Sequence, residues 1–239
     1  MEKIFFTFYV ILMNELNNLL ERFNIIPNDM KLYEIAFTHS SYAVKHDLDA
    51  DYERLEFLGD AILDMMVSFF LYNMHPNFGE GKLTKIRANY VCQQALIFYS
   101  HEYGLDKCIK INLEDNHITE KEVISITADV FESFLGAIYL DHGIDKAREF
   151  LKETVYVQIQ KKIIFFYDYK STLKEYGDAE EVVVEYELID EFGMPHDKTF
   201  TMAALVDGEK LGYGTGKSKK EAEQLAAKET LEILGLEGK

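Results

Sequence analysis

Two long stretches of the chain are almost entirely apolar apart from paired acidic residues. The first begins with ERLEFLGDAILD at Glu53 and stays apolar as far as Tyr72. The second runs ADVFESFLGAIYLD from Ala128 to Asp141. Apolar residues on every side predict helices that are buried nearly all round. We therefore expect both stretches to lie at the centre of an all-α domain. Gly59, inside the first stretch, is expected to permit close approach of another helix, of this chain or of a partner subunit.

The C-terminal third has a different pattern, which predicts one helix, three strands and a second helix. Asp207-Gly208 is a strong signal for a two-residue hairpin turn. Ser218 and Glu221 have the spacing of a capping box, and Gly235 is suited to end the helix that follows. The predicted elements are a helix over 168–176, strands over 182–189, 198–206 and 210–214, and a helix after Ser218. This order predicts a small α+β domain, α-β-β-β-α, at residues 168–236.

The two acidic pairs are the strongest indication of chemistry. Glu56 and Asp60 are four residues apart, and Asp129 and Glu132 are three apart, so each pair lies on one helical face. For a single pair, a solvated acidic face is the ordinary interpretation. Two pairs in otherwise apolar helices favour a divalent-metal site, because buried carboxylates need a cation and oxygen ligands suit Mg²⁺ or Mn²⁺. Such sites serve phosphodiester hydrolysis.

The residues around these pairs resemble the ribonuclease III family. ERLEFLGDAILD resembles the family signature, and ADVFESFLGAIYLD resembles its second acidic motif. The segments FTHSSY from Phe37 and GEGKLTKIRA from Gly79 resemble the blocks that precede and follow the signature. Tyr52 departs from the asparagine usual in the family. The resemblance extends over roughly residues 14 to 236 and implies a catalytic domain at residues 13–162.

The resemblance implies an endoribonuclease specific for double-stranded RNA. It implies Mg²⁺ ligands at Glu56, Asp60, Asp129 and Glu132, with Asp60 and Glu132 as the catalytic residues and Mn²⁺ as a substitute metal. Glu53 and Glu80 are expected to support the cleft. A homodimer, 5′-phosphate and 3′-hydroxyl products, and roles in processing ribosomal precursors and messenger RNAs are further implications. It also places a short hinge near residues 163–168, although residues 153–167 contain no Gly, Pro or Ser.

A second resemblance lies in the C-terminal domain. Lys217, Lys219 and Lys220 precede or begin a predicted helix, where free amides and the helix dipole favour phosphate. A solvated charge run is the alternative, but GKSKKEAEQLAA resembles the double-stranded-RNA-binding domain, which reads the shape of the duplex. The resemblance assigns RNA contacts to Glu175 and to the loop that holds His196 and Lys198. Departures at Lys174 and at Met194-Pro195 lie on the expected RNA side and could alter affinity.

Composition changes this picture only in part. The net charge is −17, and residues 168–236 hold 8 lysines against 16 acids. That balance argues against nucleic acid, but binding requires only a local basic face. Two cysteines without zinc spacing predict free thiols in a reducing, cytoplasmic setting. No apolar run reaches the roughly 18 residues of a membrane span.

The N-terminal residues 4–13 are apolar and could pass for the core of a signal peptide, but no small-residue cleavage site follows. An amphipathic helix is predicted from Asn14. We expect Met13 to be the natural start and residues 1–12 to be an upstream extension, with a hydrophobic anchor as the alternative.

Two other functions were weighed. A non-catalytic protein that binds double-stranded RNA could lose the acidic quartet, which this chain retains. A metal-dependent hydrolase with another substrate would not need the C-terminal domain.

Overall fold

The computed structural model describes residues 2–112, 118–194 and 197–236, with side chains from Leu12 onward. The chain forms two compact units, Met1–Phe166 and Tyr167–Lys239. The first contains α1 (Glu2–Arg22), α2 (Met30–Ala36), α3 (Ser40–Lys45), α4 (Glu53–Met74), α5 (Glu80–Val91), α6 (Gln93–Tyr103), α7 (Glu120–Leu151) and α8 (Val157–Gln160). The second contains α9 (Tyr169–Glu180), β1 (Val184–Phe192), β2 (Thr199–Val206), β3 (Glu209–Gly216) and α10 (Lys219–Ile233). This order of elements confirms the predicted fold class.

Helix α7 forms the centre of the N-terminal unit. Thr119 and Glu122 cap its first turn reciprocally, each side chain accepting from the other residue's amide. Phe131 and Phe134 are fully buried, and the Phe134 ring meets Tyr33 and Phe150 at centroid distances of 5.9 and 5.4 Å. The prediction of a deeply buried second acidic helix is therefore confirmed over Ile126–Ile138, where only the two acids and no apolar side chain remain partly exposed.

Helix α4 corrects the expectation of burial all round. It packs on α7 through Leu55, Gly59 and Ile62, while its opposite face is open, with Phe57 81% exposed and Tyr72 70% exposed. A helix at the edge of a domain needs only one apolar stripe to fix it, so composition alone overstated its burial.

Helix α1 also differs from its prediction. It begins at Glu2 rather than near Asn14 and continues unbroken to Arg22. No Gly or Pro lies between these residues, so nothing in the sequence ends the helix earlier toward the N-terminus.

One described helical stretch, Glu120–Gln160, is long and apolar enough to cross a membrane by length and composition alone. Within its most apolar window, 67% of the residues are buried inside the protein, as is typical of a core helix.

The segment after α8 is tied to the N-terminal unit by Asn89. Its side-chain oxygen accepts from the amides of Phe165 (2.8 Å) and Phe166 (2.9 Å), and its nitrogen donates to the carbonyl of Ile163. The Phe165 ring packs edge-on against Tyr99 at 5.4 Å. The predicted hinge at 163–168 is therefore too long on its N-terminal side.

The C-terminal unit is an antiparallel sheet in the order β1-β2-β3 with helices on one face. Asp207 and Gly208 both have positive φ (48° and 81°), as the predicted hairpin turn requires. A Cβ on Gly214 would lie 2.1 Å from the carbonyl oxygen of Ala222, so this glycine lets α10 rest on β3. Val184 and Tyr186 pack toward the helices, which leaves the acidic residues between and beside them on the exposed face.

Candidate active site

Two glycines bring α4 and α7 into backbone contact. A Cβ on Gly59 would lie 1.8 Å from the carbonyl oxygen of Glu132, and one on Gly136 would lie 2.4 Å from that of Leu55. Only residues without a side chain allow this separation, so the expected close approach at Gly59 is confirmed. The neighbouring helix is α7 of the same chain. The crossing places Glu56 and Asp60 of α4 beside the acids of α7.

Three of the four predicted carboxylates are partly buried at this crossing. Burial, together with the negative charges of Asp60, Glu56, Asp129 and Asp64, raises the pKa of Glu132 to about 8. Burial likewise raises the pKa of Glu56 to about 7, with contributions from Asp129, Glu53 and Asp60. The negative charges of the other quartet members therefore disfavour ionisation of Glu56 and Glu132.

Asp129 differs from its neighbours because it has a hydrogen-bond donor. Burial raises its pKa, while the Tyr52 hydroxyl and the nearby His39 act in the opposite direction. The Tyr52 hydroxyl donates to Asp129 Oδ2 at 3.1 Å. Neither Tyr52 nor His39 is indicated by local sequence spacing, because they lie 77 and 90 positions before Asp129.

The quartet does not close on a single point. Among the described residues, no three His, Cys, Asp or Glu side chains lie close enough together to hold a metal ion as they stand. The assignment of the quartet as metal ligands stays a prediction.

Asp64 is an acid that the sequence analysis did not single out. It follows Asp60 by four residues on α4, contributes to the raised pKa of Glu132, and lies 3.7 Å from the Arg87 side chain on α5. Arg87 also donates to the Ser68 hydroxyl at 3.0 Å. The same i, i+4 spacing that indicated Glu56 and Asp60 could have indicated Asp64.

The two predicted supporting acids are placed differently. Glu53 is exposed at the start of α4 and contributes to the raised pKa of Glu56, so it belongs to the acidic cluster. Glu80 is exposed at the start of α5, where it accepts a hydrogen bond from Thr84 at 3.2 Å. Glu80 is not among the groups that shift the pKa values of Glu56, Asp129 and Glu132.

The predicted RNA-binding lysines lie around the N-terminus of α10. Ser218 caps this helix by accepting from the Glu221 amide at 3.2 Å, but Glu221 accepts from the Lys217 amide rather than completing the predicted capping box. Lys219 lies over the Phe200 ring at 6.0 Å, and Lys220 is exposed. The start of α10 therefore presents exposed ammonium groups at the positive end of the helix dipole.

Acidic residues offset part of this basic surface. Lys217 pairs with Asp197 at 2.7 Å, and Lys198 pairs with Glu191. Glu175 is exposed on α9, on the other helix of the unit. The predicted contact residue His196 lies outside the described residues.

Comparisons with known proteins agree with both units. The family described as Ribonuclease-III-like matches residues 29–159, and the double-stranded RNA binding motif matches residues 169–234. Ribonuclease 3 of Streptococcus thermophilus is 41% identical over 231 residues, which cover 93% of this chain and 100% of that protein. Ribonuclease 3 of Listeria welshimeri is 39% identical over 219 residues, 90% of this chain and 96% of that protein.

A solved structure resembles the N-terminal unit. The nuclease domain of ribonuclease III from Campylobacter jejuni, described for flexibility in a region involved in dimer formation, has 30% sequence identity and a TM-score of 0.52. The match covers 57% of this chain and 93% of that domain.

Proposed function

This chain belongs to the ribonuclease III family and is a double-strand-specific endoribonuclease, and from that premise we propose that it works by metal-assisted hydrolysis, leaving 5′-phosphate and 3′-hydroxyl ends. The observation that carries the proposal is the electrostatic coupling of Glu56, Asp60, Asp129 and Glu132 where α4 crosses α7. A non-catalytic protein that only bound RNA would gain nothing from mutually repulsive carboxylates at a helix crossing, because their repulsion lowers the stability of the fold.

The donor set fits a hard divalent cation. All four side chains offer oxygen atoms, which suit Mg²⁺ and, as a substitute, Mn²⁺. The raised pKa values of Glu56 and Glu132 reflect burial first and neighbouring negative charge second, and a cation would favour the ionised form of both groups. Glu56, Asp60, Asp129 and Glu132 would hold the cation, which would supply Lewis-acid activation of water and stabilisation of negative charge on the leaving oxygen. Asp60 and Glu132, on opposite sides of the crossing, are the proposed catalytic residues.

The C-terminal unit binds the duplex. Its proposed phosphate contacts are Lys217, Lys219 and Lys220 at the start of α10, with Lys198 as a further RNA contact. Glu175 on α9 is proposed to contact ribose hydroxyls. Such contacts act through shape and charge rather than sequence. Because acids neutralise two of these lysines, we expect modest affinity that falls steeply with salt.

The proposed assembly is a homodimer formed through the open face near the start of α4. Phe57 is 81% exposed there, beside a groove of about 740 Å³ lined in part by Leu32, Ile35 and Leu140. Two copies related by a two-fold axis could each insert Phe57 toward the partner's groove, which removes the exposed ring from water. Sedimentation analysis should give the mass of two chains, and a monomer at micromolar concentration contradicts the proposal.

The proposed cellular role is processing of ribosomal RNA precursors and messenger RNAs in the cytoplasm. Family membership supports this role, and it needs no feature beyond the two units.

The test is a cleavage assay with two substrates of one sequence. A labelled long duplex and its separated single strand are incubated with the protein, in Mg²⁺ and in EDTA. We expect short duplex products only in Mg²⁺, and the ends should accept ligation without prior phosphorylation. Equal cleavage of the single strand, or cleavage in EDTA, contradicts the proposal.

A further inference from the structure

Tyr52 stands at the junction between the two acidic helices. It directly precedes α4 and is only 5% exposed. Its amide donates to the carbonyl of Thr38 at 2.9 Å, and its carbonyl accepts from the Glu56 amide at 2.9 Å. Its ring lies 5.8 Å from the His39 ring, centroid to centroid. The backbone and the ring of Tyr52 are therefore both held by contacts that do not involve the hydroxyl group.

The hydroxyl reaches across to α7. It donates to Oδ2 of Asp129 at 3.1 Å and so links the residue that precedes α4 to a side chain on α7. Among the described residues of the site, Asp129 is the quartet carboxylate that accepts a hydrogen bond from a neutral side chain. A neutral donor orients Asp129 and leaves its negative charge in place. A lysine at this position would neutralise that charge.

We propose that Tyr52 is a positioning residue for the metal site: its hydroxyl holds one oxygen of Asp129 and thereby presents the other oxygen to the cation. The inference rests on the proposed function, since it assumes that Asp129 binds metal.

Two physical arguments support this role. Asp129 faces other carboxylates, and repulsion would turn an unrestrained side chain away from them. Groups that hydrogen-bond to metal ligands commonly account for 10- to 100-fold in metal affinity, because they fix ligand orientation in advance.

The link belongs to the tyrosine side chain. Asparagine, expected here from the family resemblance, is shorter by the length of the ring and could not reach Asp129 from the same backbone position. A Tyr52→Phe variant keeps the ring in its contact with His39 and removes one oxygen atom. It therefore separates the hydrogen bond from the packing.

The chain supplies a matched control. Tyr33 is fully buried in the same unit, and its hydroxyl donates to Oδ2 of Asp141 at 3.0 Å. Tyr33→Phe thus removes the same kind of hydrogen bond at a position that is not part of the quartet. Both variants should lose some thermal stability, but only one should lose metal affinity.

The experiment measures Mn²⁺ binding to RNA-free protein by titration calorimetry for the wild type, Tyr52→Phe, Tyr33→Phe and Glu132→Gln. We expect Tyr52→Phe to bind Mn²⁺ at least roughly tenfold more weakly than the wild type, and Tyr33→Phe to bind as the wild type does. In a Mg²⁺ titration of cleavage, Tyr52→Phe should need correspondingly more metal for half-maximal rate and recover its rate at high Mg²⁺. A folding defect would not be rescued in this way.

The outcomes are distinct. Unchanged affinity in Tyr52→Phe, or equal weakening in Tyr33→Phe, overturns the positioning role while leaving the metal site intact. Absence of saturable binding by the wild type, or wild-type affinity in Glu132→Gln, contradicts the proposed function itself, and the positioning role with it. If Tyr52→Phe needs no more Mg²⁺ than the wild type, that also overturns the role.

Discussion

Glu132 carries the largest electrostatic cost of the described carboxylates. It is buried against α4, and four neighbouring acids add their negative charge to the effect of burial. Its folded-state pKa of about 8 lies above the 4.5 of an unperturbed glutamate. A carboxyl group with a raised pKa favours the folded state while protonated. That contribution is complete below pH 4.5 and is lost as the pH rises through about 8.

The first prediction is that Glu132→Gln changes this pH dependence. In metal-free buffer, the wild type should lose thermal stability between about pH 4.5 and pH 8, and Glu132→Gln should lose less because the amide cannot ionise. Above pH 8 the variant should therefore melt at a higher temperature than the wild type. Melting curves in EDTA across this range measure the effect. The control is Glu120→Gln, an exposed change in the first turn of the same helix, which should follow the wild type. Identical melting curves for all three proteins would contradict the raised pKa of Glu132.

At the residue scale, the sequence indicates the quartet because its spacing is local. Glu56 and Asp60 share one face, as do Asp129 and Glu132, whatever the helices later pack against. The contact between Tyr52 and Asp129 spans 77 positions and depends on where the start of α4 meets α7. No periodicity encodes such a contact, so only the structure reveals it.

The crossing of α4 and α7 is the element on which the site depends. We predict that Gly59→Ala destabilises the protein by at least about 3 kcal/mol, since the new Cβ would meet the Glu132 carbonyl oxygen at 1.8 Å and force the helices apart. Gly81→Ala is the control, because nothing lies within 4 Å of its Cβ position in α5, and it should be neutral or stabilising by up to ~1 kcal/mol. Chemical denaturation measures both. A Gly59→Ala protein as stable as Gly81→Ala would show that the helices do not meet as described.

The N-terminus of α10 gives the second prediction at this scale. Replacing Lys217, Lys219 and Lys220 with Ala should weaken binding to all duplexes alike, and each lost phosphate contact should reduce the slope of log affinity against log salt by about 0.9. Lys228→Ala, farther along the same helix, should leave the slope unchanged. Binding titrations at several salt concentrations measure it. A triple variant with the wild-type slope would place the basic face elsewhere.

Element types were predictable because hydrophobic periodicity and capping signals are local. The Asp207-Gly208 turn and the Ser218 cap fall where the sequence places them. The open face of α4 was not predictable, because apolar composition does not distinguish burial within one chain from burial between chains. The start of α1 at Glu2 was not predicted either. No local signal in the sequence marks an end of this helix between Asn14 and Glu2.

The whole molecule combines a unit that carries the acidic quartet with a unit that carries the lysines. We predict that deleting residues 167–239 leaves a folded nuclease unit that cleaves duplex RNA at low salt. Its core is complete without the second unit, and the anchored segment up to Phe166 remains. Cleavage should fail at physiological salt, because salt weakens the remaining contacts to RNA and the truncated chain lacks the lysine contacts that add to its affinity. Equal cleavage at both salt concentrations, or failure of the truncated chain to fold, contradicts this division.

Net charge was a poor guide at this scale. The net charge of −17 does not prevent the chain from presenting lysines at the start of α10. Binding of nucleic acid depends on such local charge rather than on the total. The pairing of Lys198 and Lys217 with acids could not be predicted from the sequence, since it depends on how two loops approach each other.

The most direct test of the account is cleavage of a long RNA duplex by Glu132→Gln, compared with the wild type and Glu120→Gln at saturating Mg²⁺. We predict that Glu132→Gln loses cleavage by a factor of at least about 10³ while binding the duplex with near wild-type affinity, because the amide keeps the shape of the side chain and removes a metal ligand. Glu120→Gln should cleave normally. Cleavage by Glu132→Gln at near the wild-type rate would contradict the claim that the carboxylates at the crossing of α4 and α7 are the catalytic metal site.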